Sequence, residues 1–190
     1  MKTGMQQKGT TDLSRYNSSW YKPGNFILQF CWYFTNIIFF INPLNPFNGL
    51  KVMLLRLYGA KIGSGVIIKP GVNIKYPWKL TVGNCSWIGE NAWIDNLGQV
   101  TIGNNCCISQ GAMLLCGNHD YRKTTFDLMV KPITMEDGSW VGAKAVVTPG
   151  TILGSHSILT VMSVGTGHLP PYTVCKGNPA VVIRERIIEL

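Results

Sequence analysis

A chain of 190 residues is the size of one domain, or of one domain with a small attachment. Its 17 Lys and Arg against 9 acidic residues give a net charge of +8, yet only 14% of residues are charged and 46% are apolar. That balance excludes a disordered polybasic tail, a coiled coil and a long charged helix bundle. It leaves nucleic acid, membrane phosphate or an anionic substrate as uses for the surplus cations.

The segment 1–60 reads as an attachment to the rest of the chain. It begins without the basic, apolar and small-residue series of a signal peptide, so none is expected. The stretch 26–41, FILQFCWYFTNIIFFI, is an apolar run interrupted by Gln29, Thr35 and Asn36. A spanning helix needs about 20 residues, more than this run supplies. The segment is therefore expected to pack as a helix on the main domain. The alternative is contact with a membrane interface, with Trp20, Trp32, Lys22 and Lys51 at the level of the headgroups. Six cysteines, at 31, 85, 106, 107, 116 and 175, form no CxxC pair, and the histidines at 119, 156 and 168 have no metal-ligand spacing. The cysteines read as small, mostly buried residues of a reducing compartment, and no metal site is expected.

From residue 62 the pattern changes. Long apolar residues recur every six positions at Ile62, Ile68 and Ile74, then Val82, Ile88 and Ile94, then Ile102, Ile108 and Leu114. The series resumes at Met135, Val141, Val147, Leu153 and Leu159. Four places after the apolar residue comes a small or slender one: Val66, Val72, Ser86, Ala92, Cys106, Ala112, Ser139, Ala145, Thr151, Ser157 and Ser163. Neither a helix, with a period near 3.6, nor a flat strand, with a period of 2, produces this. Three short straight edges per turn do. The large residue fills the interior of a narrow prism and the small one sits where a corner crowds inward. Three hexads make a coil of roughly 18 residues, and parallel backbone hydrogen bonds stack the coils. The prism is expected over 61–170, with 171–190 as a C-terminal extension.

The stretches VTIGNNCCISQGAMLLCGNHDY (100–121), MEDGSWVGAKAVVTPGTILG (135–154) and LPPYTVCKGNPAVVIRE (169–185) resemble the hexapeptide-repeat acyltransferases. The likeness is greatest to the maltose, galactoside and nodulation O-acetyltransferases and to the colanic acid biosynthesis acetyltransferases. It covers 60–190, and the aromatic approach NSSWYKPG at 17–24 favours the colanic-acid-like branch. The resemblance implies an all-β fold, a left-handed parallel β-helix. It also implies acetyl-CoA as acyl donor, a sugar hydroxyl as acceptor and a homotrimer with active sites between subunits.

The third coil is interrupted. The step from Ile102 to Met135 is nearly twice the length of one coil, and the excess falls within 117–132. Such an excursion marks a binding face, because the stack holds the loop while leaving its side chains free. His119 stands at its start. On the residues alone it is either a loop histidine satisfied by Asp120 or a backbone carbonyl, or a base. The resemblance implies the base, acting in direct transfer without an acyl-enzyme. Imidazole, with an ordinary pKa of about 6.5, suits proton removal near neutral pH. A nucleophilic Cys116 lacks a thiolate-stabilising arrangement.

Further residues follow from the resemblance. Asn96 aligns with an asparagine that contacts acceptor or donor, Asp95 either binds an acceptor hydroxyl or caps its turn, and Asp12 matches loosely an aspartate that orients the sugar. Trp140 takes the aromatic position of the cofactor channel, while Trp87 and Trp93 are candidates for a subunit interface. Gly142, Ala143 and Lys144, with Thr160, match the surface along the pantetheine arm. Gly167 stands where a phosphate-facing lysine belongs, which leaves Lys144, Lys176 or Arg184 to meet the phosphates. Asn178 and Pro179 read as the N-cap and first residue of a short helix over AVVIRERIIEL. The acceptor is expected to be a sugar carried on a lipid or a nucleotide. The expected place is the cytoplasm, with peripheral membrane contact through 26–41 and no nucleic acid. The competing functions are an N-acyltransferase acting on an amino sugar and a non-catalytic scaffold that binds a nucleotide or a membrane.

Overall fold

A computed structural model describes residues 9–189. The prism is a left-handed parallel β-helix. Its first face stacks Lys61–Ile62, Leu80–Val82, Val100–Ile102, Ile133–Met135, Ile152–Leu153 and His168–Leu169. The second stacks Ile67–Ile68, Trp87–Ile88, Cys107–Ile108, Trp140–Val141, Ile158–Leu159 and Thr173–Gly177. The third stacks Asn73–Ile74, Trp93–Asp95, Met113–Leu115, Val146–Val147 and Val164–Gly165.

Register explains the hexad. Ile62 lies opposite Val82 and Val82 opposite Ile102, while Ile68, Ile88 and Ile108 align on the second face. Each column of identical positions is buried, and so is every small residue expected at a corner, from Val66 to Ser163. Burying an Ile or Leu contributes about 1.5–3 kcal/mol, so the stability of the stack comes from these columns. Between strands the chain turns by left-handed backbone, at residues that include Cys85, Asn91 and Asn105.

Two helices cover the first coil. Helix α1 (Phe26–Thr35) starts at Asn25, whose side chain accepts from the amides of Ile27 and Leu28, and continues as a π-helical segment, Asn36–Ile41. Helix α2 is Asn48–Leu57. Their polar side chains pair the free edge of the first coil. Asn48 donates to the Val66 carbonyl and accepts from the Ile68 amide, the Arg56 guanidinium donates to the Ile62 and Gly63 carbonyls, and the Trp32 indole donates to the Ile74 carbonyl. The expected packing of 26–41 on the prism is present on one face, where Trp32, Asn36 and Phe40 are buried. The opposite face is open. Trp32 and Lys51 are buried and not at any headgroup level, because the Lys51 ammonium points inward to the Ile68 carbonyl at 3.4 Å. Burial lowers the pKa of that ammonium. No helix among the described residues is long and apolar enough to cross a membrane.

The C-terminal helix is not formed. Ala180–Glu185 runs antiparallel to Thr173–Gly177 as a return strand on the second face. Val181, Val182 and Ile183 are β-branched and favour pleated backbone, and the ladder to the preceding strand supplies hydrogen bonds that a short isolated helix lacks. Arg186 then ties this end down by donating to the Gly138 and His156 carbonyls.

Candidate active site

The excursion is a β-hairpin. Gly117–His119 pairs antiparallel with Leu128–Val130, and His119 lies opposite Leu128. The tip is held by local charge. Arg122 donates to the Asp120 carboxylate at 2.9 Å, Lys123 meets Asp127 at 2.8 Å, and the Thr125 hydroxyl donates to Asp127 at 2.6 Å. Hydrogen bonds from Arg122 hold the Asp120 carboxyl below its usual range, so this acid is committed within the tip and not to His119.

His119 is fixed from two sides. Its Nδ1 lies 3.0 Å from the Phe126 carbonyl, and the Phe126 ring stacks on the imidazole at 4.5 Å and 7°. A carbonyl only accepts, so Nδ1 carries the proton and Nε2 keeps its lone pair. Phe126 has a φ of +50°, a conformation uncommon for an aromatic residue, and this turn aims its carbonyl back at the histidine. The segment before α1 closes the other side. The Asp12 amide donates to the Thr124 carbonyl at 2.8 Å, and the Tyr16 ring lies 5.8 Å from the imidazole.

The other expected acceptor residues fall elsewhere. Asn96 is fully buried. Its carbonyl accepts from the Tyr76 amide and its amide donates to the Tyr76 carbonyl, which ties the first coil to the second. That position corrects the expectation of direct contact, since these contacts lie inside the stack. Asp95 pairs with Lys75 at 3.0 Å and lines a cleft of about 470 Å³ beneath α1. The Asp12 carboxylate accepts from the amide and hydroxyl of Ser14, and only its backbone grips the hairpin.

The donor residues fare differently. Trp140, Gly142, Ala143, Thr160 and Arg184 line one cavity of about 440 Å³ on the second face and the corner after it. The indole of Trp140 donates to the Ser109 hydroxyl at 2.8 Å, which fixes a ring that remains 42% exposed. Lys144 and Lys176 are exposed and lie outside that lining. Arg184 reaches the cavity because it sits on the return strand. Gly167 has a φ of +70°, a backbone conformation in which a lysine would be strained.

Sequence reasoning missed Phe126, Tyr16 and Ser109. No periodic signal marks them: Phe126 meets its partner within the hairpin, Tyr16 reaches it from the segment before α1, and Ser109 meets Trp140 across coils. Cys116 is fully buried, and burial pushes its thiol up to about 11. The thiolate is therefore scarce near neutral pH, and Cys116→Ser is expected to keep turnover within about twofold. Steady-state thioester consumption checks this.

No family model matches the chain. WcaF of Escherichia coli (strain K12), named as a colanic acid biosynthesis acetyltransferase, is 39% identical over 168 residues, covering 88% of this chain and 92% of WcaF. The chain belongs to the hexapeptide-repeat acetyltransferases. The galactoside O-acetyltransferase of the same strain is 30% identical to this acetyltransferase over 136 residues, 70% of this chain and 66% of the relative. Among solved structures, the hexapeptide-repeat acetyltransferase VCA0836 of Vibrio cholerae has a TM-score of 0.77 at 22% identity, covering 85% of this chain and 92% of that one. A galactoside acetyltransferase in complex with coenzyme A has a TM-score of 0.74 at 24% identity, covering 84% and 80%. At these identities the two structures share the fold.

Proposed function

We propose that this acetyltransferase moves an acetyl group from acetyl-CoA to a sugar hydroxyl in exopolysaccharide biosynthesis of the colanic-acid kind. The observation that carries the reading is the fixed tautomer of His119, with Nδ1–H on the Phe126 carbonyl and Nε2 left with its lone pair. His119 Nε2 takes the hydroxyl proton as the sugar oxygen bonds to the acyl carbon. The carbon–sulfur bond breaks, and the imidazolium returns the proton to the departing sulfur. Acetyl-CoA supplies the thioester carbonyl when bound. The cavity suits that donor: Arg184 offers a cation for phosphate, Trp140 an apolar ring, and Gly142 and Ala143 close approach to backbone.

The reading includes a homotrimer. The hairpin springs from the corner between the third and first faces, whereas the donor cavity lies on the second face and the corner that comes after it. One prism keeps base and donor apart, and a neighbouring copy brings them together. The exposed Trp87 and Trp93 are suited to that contact. The acceptor sugar is carried on a lipid or a nucleotide, and the chain works in the cytoplasm with peripheral membrane contact through 26–41.

The test is release of free coenzyme A from acetyl-CoA with a panel of hydroxyl and amino sugars, with product masses. Gain of an acetyl mass on a hydroxyl sugar is expected, and acylation confined to amines overturns the O-transfer. Trp140→Ala is expected to raise KM for acetyl-CoA roughly tenfold with kcat nearly kept, because the ring contributes to binding in ground and transition states alike. Initial rates over a range of acetyl-CoA concentrations measure the split.

A further inference from the structure

The net charge of this chain is not spread along it. Residues 13–89 hold 8 Lys and Arg and no Asp or Glu, a net +8 equal to that of the whole chain, while 90–190 hold 7 basic against 8 acidic residues. Apart from Arg15, which adjoins the Tyr16 that meets His119, the cations of that stretch lie on the approach to α1, on α2 and on the first coil, so most of the surplus gathers at one end of the prism. At that end Lys69 and Lys75 face Glu90 and Asp95 of the second coil, and Lys51 is buried. Lys22 and Lys61 are exposed and face no carboxylate among the described residues, while Arg56 is held on the Ile62 and Gly63 carbonyls.

The same end carries an uncovered apolar surface. Phe26, Phe30 and Phe34 follow one another at four-residue spacing along α1, their rings in successive contact at 6.5 and 5.0 Å, and the first two also border the cleft that Asp95 lines. Ile37 prolongs the row, and the turn into α2 adds Leu44 and Phe47. Phe26 is 78% exposed and Leu44 86%. The opposite side is buried against the prism through Trp32 of α1 and Phe40 of the π-helical continuation, so this segment is apolar on two sides and only one is covered.

We infer that this end of the molecule docks on an anionic lipid bilayer. The aromatic row and the Leu44–Phe47 turn enter the acyl boundary, while Lys22 and Lys61 meet lipid phosphate. The inference rests on the peripheral placement proposed above and adds the lipid class it selects. Charge complementarity decides the occupant: a neutral apolar partner explains the row but not the absence of acids over 13–89, and a bilayer bearing negative headgroups explains both.

The test is sedimentation of the full chain with vesicles of phosphatidylcholine alone or with about one third phosphatidylglycerol, at about 0.1 M and about 0.5 M salt. The mixed vesicles are expected to bind at least tenfold better at low salt, and high salt to remove most of that advantage. Phe34→Ser with Leu44→Ser, both at exposed positions outside the Asp95 cleft, is expected to lose at least tenfold in vesicle binding with an unchanged sedimentation coefficient and unchanged turnover of a soluble sugar. Equal binding to both vesicle types overturns the anionic selectivity while sparing peripheral placement. Absence of binding to either overturns both. A double variant that changes oligomer size instead assigns the face to a second copy of the chain and also overturns the inference.

Discussion

His119→Ala is expected to lower kcat by about 100- to 10,000-fold, the range in which a positioned general base contributes. The melting temperature should stay within about 2 °C, because the side chain belongs to a surface hairpin whose backbone ladder and tip ion pairs do not involve it. His119→Gln restores a hydrogen-bond donor toward Phe126 but no basic nitrogen, so it should be equally slow. Phe126→Ala keeps the carbonyl and removes the stacked ring, with an expected loss of about tenfold. Turnover retained in the alanine variant, or lost in Cys116→Ser, would overturn the assignment of the base.

Gly83→Ala should sharply destabilise the prism. A Cβ there lies 2.6 Å from the carbonyl carbon and oxygen of Gly103 and 2.7 Å from the Asn104 nitrogen. These are backbone atoms of the next coil, and that coil cannot retreat. Gly83 N donates to the Ile102 carbonyl at 2.8 Å and Gly103 N donates to the Met135 carbonyl at 2.8 Å. The expected loss is about 3 kcal/mol, a fall of roughly 6–12 °C in melting temperature for a chain of this size. Gly49→Ala is the contrast. Nothing lies within 4 Å of its Cβ position, and alanine favours helix over glycine by about 1 kcal/mol, so that variant should be neutral or more stable. Thermal denaturation of the pair measures the tolerance of the stack against that of its cover.

What the sequence made legible was whatever repeats. The columns Ile62–Val82–Ile102 and Ile68–Ile88–Ile108 and the small corner residues follow from one spacing rule, because each coil presents the same environment to the same offset. Trp140, Gly142 and Thr160 line one cavity, but they were named from the family resemblance and not from the repeat. Legibility ended where the repeat did. The Phe126 carbonyl reaches His119 through a hairpin whose pairing no hexad dictates. Asn96 sits at a coil end, yet its inward rotamer commits its polar atoms to Tyr76. The C-terminal residues carry a helix-start signal at Asn178 and Pro179, but an unpaired strand edge beside them offered a ladder, and tertiary pairing overrode local propensity.

The polar side chains that α1 and α2 turn onto the first coil bear on assembly. A coil of parallel strands has two raw ends, and each exposes amides and carbonyls able to recruit another chain edge to edge. Here Asn48, Arg56 and Trp32 occupy the starting end, and the antiparallel return strand closes part of the other with a polarity that a parallel stack cannot continue. Deleting the segment 1–60 would thus do more than trim an attachment. It would expose a template for endless growth, and the shortened prism should be lost to fibrous aggregates before its interior columns ever loosen.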